Sequence, residues 1–187
     1  MKIIDMHTHA QDILFVGRGN VRPSLGILIR FFEWQHFNWY GPHSGKMENK
    51  AYSVLRKRIV RDTQARNAMA NEVDLMKEMG RANITHSIML PIEPYGNTPE
   101  VISFAKNDKR LVPFASVDPR DPQRTEKLKT YAKDGCRGLK LHPIIQNFHP
   151  ASRECLETVE EFRQYGLPVL FHSGRASYYM PESESEN

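Results

Sequence analysis

Hydrophobic positions along the chain follow two periods. Short apolar runs, each ending in polar residues, occupy Lys2 to His9, Ile84 to Pro91, Leu111 to Pro119, Cys136 to Pro143 and Leu167 to Gly174, and they read as strands. Between the later runs, apolar residues return every three or four positions. This predicts helices over Thr98 to Asp108, through Lys127, Leu128, Tyr131 and Ala132, and over Glu154 to Tyr165, with Gly135 and Gly166 stopping the last two. A further helix is expected to open at Asn67, run to Met79 and end at Gly80.

The segment between the first two strands is too long for a structureless loop in a compact domain. Helices are predicted there from Ser24 through Phe32 and through Ala51, Tyr52, Leu55, Ile59 and Val60. Between them, residues 31–40 hold the densest aromatic cluster of the chain, suited to a lid, a contact with a second copy, a substrate-facing wall or a plain packed insertion. Arg56, Lys57, Arg58, Arg61 and Arg66 read as a solvated helix face. The expected organisation is a single domain over residues 1–187, with an aromatic-rich helical insertion at about 12–65 and a polar tail at about 178–187.

Strands alternating with helices imply parallel pairing, in an open doubly wound sheet or in a β/α barrel. Polar residues at the ends of several strands favour the barrel, because a barrel gathers its chemistry there. An open sheet more often carries a glycine-rich first turn, and the chain has no Gly-x-Gly-x-x-Gly after its first strand. The fold class expected is therefore α/β, a partial TIM-type (β/α) barrel of about five βα units.

Composition narrows the setting. With 187 residues and 40% hydrophobic content the chain can bury a core. A net charge of +4 suits a small anionic molecule without calling for nucleic acid. Cys136 and Cys155, the only cysteines, read as free packed thiols in a chain without a signal peptide or a spanning apolar run, so the cytoplasm is expected and a membrane is not.

The candidate chemistry begins at the first strand. His7 and His9 lie two residues apart, so they share a face at about 6.5–7 Å along the backbone, from which both imidazoles can reach one metal ion. A strand cap and a core histidine would give the same letters, so a third ligand is needed to decide. His172, at the end of the last strand, is the best candidate. Lys140 and His142 share a face of the fourth predicted strand, and a lysine pointing inward is costly unless paired, deprotonated or modified. His86, early in its strand, reads as structural, and His36 and His43 rank below the others as ligands.

Four runs in order, Ile4-Asp5-Met6-His7-Thr8-His9, Val112 to Pro119, Gly138-Leu139-Lys140-Leu141-His142-Pro143 and Gly166 to Gly174, resemble the amidohydrolase superfamily. More closely, they resemble its amidohydrolase-related branch, which includes decarboxylases of the aminocarboxymuconate-semialdehyde type. The resemblance implies metal ligands at His7, His9 and His172, and a zinc ion or another divalent metal such as manganese. It makes Lys140 the position that some members carboxylate to bridge two metals, and His142 a hydrogen-bond donor lining the pocket, so these two are the catalytic candidates. The activity implied is metal-dependent hydrolysis of a carbonyl, ester or amide substrate, with nonoxidative decarboxylation of an aromatic or dienoic acid as the alternative. The family also carries an aspartate on an eighth strand and often a histidine on a sixth, for which the residues after Gly174 offer no counterpart. The chain is accordingly expected to be C-terminally truncated, which keeps open an inactive fragment or an interaction module that self-associates through the aromatic insertion.

Overall fold

The computed structural model describes residues 2–10 and 71–173. The predicted insertion and tail, with the aromatic cluster, the basic run, His36 and His43, lie outside the described residues. Within them, six parallel strands form two three-stranded sheets. The first joins β1 (Ile4–Thr8), β2 (His86–Met89) and β3 (Leu111–Pro113), and the second joins β4 (Ala115–Ser116), β5 (Leu139–Leu141) and β6 (Val169–Phe171), each in that order. The helices between them are α1 (Glu72–Arg81), α2 (Thr98–Asn107), α3 (Arg124–Lys133) and α4 (Arg153–Arg163).

The βα alternation matches the sequence pattern, but the sheet is not one continuous barrel wall among the described residues. The strand expected over residues 111–119 divides at Phe114, whose N–H donates to Met89 O at 3.0 Å in the first sheet. The next N–H, of Ala115, donates to Gly138 O at 2.8 Å in the second. Backbone groups of successive residues point to opposite sides of a strand, so this segment belongs to both sheets. Pro113, which has no N–H, precedes the first bond to Gly138 and deprives the second sheet of no donor.

Local chemistry sets the helix ends. Asn71 Oδ1 accepts from Asp74 N–H at 2.9 Å and Asn97 Oδ1 from Glu100 N–H at 2.8 Å, so side chains satisfy N–H groups that the first turns leave open. Ser152 Oγ does the same for Cys155 at 3.3 Å. The helix expected to open at Asn67 is therefore capped at Asn71, and it continues one residue past its predicted stop at Gly80. Gly166, by contrast, stops the chain after α4 as predicted, in a left-handed conformation with φ of 61°.

The main core lies between the second sheet and α3 and α4, where Leu128, Leu139, Leu141, Cys155 and Phe162 are buried. Both thiols are free and buried, as expected, and burial pushes Cys136 up to about 12. Gly138 lies against the buried ring of Phe114, and an added Cβ would overlap three of its ring carbons. Gly138→Ala is expected to destabilise the chain by about 1–3 kcal/mol through overpacking, measured by urea denaturation. An unchanged midpoint would show that the ring has room to move.

Candidate functional site

Parallel pairing brings the C-terminal ends of β1, β5 and β6 to the same side, and each delivers predicted site residues there. In β1 the register shifts between Asp5 and Thr8, and Asp5 Oδ1 accepts from His7 N–H at 3.0 Å. His7 and His9 bring their Nε2 atoms to 3.0 Å. Two nitrogens bound to one tetrahedral zinc ion would stand roughly 3.3 Å apart, so the pair has nearly the spacing of shared ligands. Just beyond β2, Leu90 O stands 2.7 Å from His9 Nδ1. A carbonyl can only accept, so Nδ1 carries the proton and His9 Nε2 presents a lone pair.

Lys140 lies within β5, fully buried, and His142 follows the strand, also buried. His142 stacks on His172, with ring centroids 3.9 Å apart and planes within 10°. His172 N–H donates to Leu141 O at 2.9 Å, which fixes the backbone of the second ring beside the first. Among the described residues, Lys140 Nζ and His172 Nε2 are both buried without a hydrogen-bond partner. Unsatisfied buried polar atoms are rare in folded proteins, and two in one cluster mark a place built for something other than packing.

The electrostatics agree. Burial, with the Lys140 charge second, lowers the pKa of His7 and of His172. Burial pulls His9 down to about 4 despite its bond to Leu90, and His7, Lys140 and His172 lower it further. Burial, then the charges of His172 and Lys140, take His142 to about 3. Burial alone takes Lys140 to about 8. At neutral pH the cluster therefore holds four neutral imidazoles and one ammonium that gives up its proton unusually easily.

The five predicted site residues are thus gathered, as a His7–His9 pair, a His142–His172 pair, and Lys140 in electrostatic reach of all four rings. Among the described residues, no three His, Cys, Asp or Glu side chains close on one point as a complete ligand set. The donors nonetheless suit a divalent cation: neutral imidazoles, a lone pair at His9 Nε2 and a buried Nε2 on His172 without a partner among the described residues. His86 starts β2, away from this end, and its Nδ1 is likewise buried without a partner among the described residues.

Two features escaped the sequence. Leu90 contributes only its carbonyl, which no side-chain pattern encodes. Gln146 follows His142 by four residues in a turn, and its buried amide bonds three separate segments. Only Pro143 hints that the chain turns sharply there.

The amidohydrolase family model matches residues 4–185, and the chain belongs to that family. No curated protein matches it. Among solved structures, the crystal structure of a probable 2-pyrone-4,6-dicarboxylic acid hydrolase from Acinetobacter baumannii, with citric acid bound, is similar at 13% identity and a TM-score of 0.49. The match covers 92% of this chain and 50% of that one, so the chain spans about half the length of that structure. No helix among the described residues is long and apolar enough to cross a membrane.

Proposed function

We propose that the chain supplies the metal-binding and substrate-orienting part of a metal-dependent amidohydrolase acting on a small anionic carbonyl, ester or lactone substrate. The observation that carries this reading is the cluster of His7, His9, Lys140, His142 and His172 at one end of the parallel strands, with Lys140 Nζ and His172 Nε2 buried and unpaired among the described residues. His7 and His9 would hold a zinc or similar divalent ion, with His172 as third ligand. When bound, the ion supplies Lewis acidity and a water activated near neutral pH.

The other roles belong to the chain's own groups. Lys140, with its pKa near 8, holds a positive charge for an anionic substrate and can exchange a proton at Nζ close to neutral pH. His142, neutral and fixed against His172, donates a hydrogen bond to a substrate oxygen where negative charge develops.

Zinc titration of the chelator-treated chain by calorimetry is expected to show binding at a single site. His9→Ala should weaken that binding by at least about 100-fold, because it removes a ligand whose tautomer is already fixed. Equal affinity in the variant would remove His9 from the site. Turnover is checked on lactones, esters and aromatic carboxylic acids, the last reporting decarboxylation. Metal binding without turnover of any of them would leave a metal-binding domain in place of an enzyme, and metal-independent self-association would favour the interaction module.

A further inference from the structure

We propose that Gln146 is a positioning residue that fixes the tautomer of His142, and so decides that this imidazole offers the site a proton donor in place of a lone pair. The catalytic meaning of that donor rests on the function proposed above; the tautomer itself does not.

Gln146 is buried, and its amide is used on both sides. Oε1 accepts from His142 N–H at 2.7 Å, while Nε2 donates to Glu93 O and to Val117 O, each at 2.9 Å. The opposite amide orientation would aim an oxygen at two carbonyls and an NH2 at an N–H, so only this one satisfies all three partners. One side chain thereby ties the end of β5 to the segments that follow β2 and β4.

The same residue closes the turn after His142. Gln146 N–H donates to His142 O at 2.9 Å, and Arg120 Nη1 donates to Asn147 O at 3.1 Å from outside. In this turn Ile145 N–H points at His142 Nδ1 and donates to it at 3.2 Å. Nδ1 is then the acceptor, and the proton of the neutral ring sits on Nε2. His9 is held the opposite way, with its Nδ1–H on Leu90 O and its Nε2 lone pair facing His7 Nε2 at 3.0 Å. Two backbone contacts thus assign two histidines of one cluster to different chemistry. Gln146 is the side chain that keeps the second contact in place. Without its three bonds the turn can open, Ile145 N–H leaves Nδ1, and His142 can carry its proton on either nitrogen.

The test reads the His142 ring nitrogens by long-range 1H–15N correlation in the resting, metal-free chain at pH 8. The wild type should show a protonated Nε2 and an unprotonated Nδ1. Gln146→Met, similar in size but without the amide, should lose that preference and give averaged shifts for the two nitrogens. Phe162→Leu, a core change in α4, serves as the control for general loosening and should keep the wild-type pattern. If turnover is found, Gln146→Met should lower kcat by at least about tenfold with a smaller change in KM, as removal of a fixed proton donor requires. Should Gln146→Met not fold, Gln146→Glu carries the same comparison, since it keeps the acceptor for His142 N–H and loses both donations. A wild type protonated at Nδ1, or a folded Gln146 variant that retains the Nε2–H pattern, would overturn the proposal. A chain with no turnover at all would count against the proposed function alone, because the tautomer is measured without substrate.

Discussion

Lys140→Met is expected to make the chain more stable at neutral pH while lowering any turnover the wild type shows. Lys140 is fully buried in β5, its Nζ has no hydrogen-bond partner among the described residues, and burial lowers its pKa from 10.5 to about 8. Between those two values the unfolded chain holds a proton that the folded chain has released, so stability rises with pH across that window. Below about pH 8 both states are protonated, and the folded state carries the whole penalty of a buried charge. A difference of roughly 2.5 units corresponds to about 3 kcal/mol. Methionine fills nearly the same volume without the charge, so urea denaturation at pH 7 should show a gain of about 2–3 kcal/mol. The gain should shrink toward zero above pH 10.5, where the wild type no longer pays for desolvation. Equal stability at pH 7 would mean that a partner already neutralises Lys140. Catalysis should move the other way, with kcat down by at least about 100-fold on any substrate the wild type turns over. A chain that keeps so unfavourable a group in its core gains something other than stability from it.

The same residue shows what was legible in the sequence. Lys140 and His142 could be placed on one strand and one face because strand periodicity is strict, whereas spacing does not decide whether a lysine there turns inward or reaches out to a carboxylate or to solvent. Gly166 was legible as a helix stop, whereas the side-chain caps at Asn71, Asn97 and Ser152 were not. The division of the third predicted strand at Phe114 was not legible. Which neighbour receives each N–H depends on how the sheets meet, and residues 111–115 form one uninterrupted apolar run across the point of division. Nor could the sequence reveal how the imidazoles pair. His7 and His9 approach each other as their spacing predicts, whereas His172 stacks on His142, a meeting between segments thirty residues apart that hydropathy does not specify. Least legible were the tautomers, which depend on Leu90 O and on Ile145 N–H. Any residue at those two positions except proline at the second would supply the same group, so the letters carry no trace of the chemistry.

Acid should unfold the chain once its buried imidazoles are forced to take up protons. His9 and His142 are held below the ordinary imidazole value of 6.5, at about 4 and about 3, chiefly by burial. Each folded-state pKa lies below its unfolded value, so the unfolded chain takes up protons that the folded chain refuses. The resulting stability is complete above pH 6.5 and is lost as pH falls toward 4 and then 3. Shifts of roughly 2.5 and 3.5 units set an upper bound of about 8 kcal/mol, and on the order of 5 kcal/mol is reasonable for two rings that share the Lys140 charge. That is comparable with the whole stability of an ordinary domain, so a cooperative transition is expected between about pH 6 and pH 4. Circular dichroism of the chelator-treated chain against pH measures it directly. His142→Phe keeps a ring to stack on His172 and removes the larger of the two shifts, so its transition should lie at least about half a pH unit lower. A variant that unfolds at the same pH as the wild type would show that His142 protonates without resistance. The ring would then not be sealed between His172 and the β5 turn, and the donor proposed for it would be open to exchange with solvent.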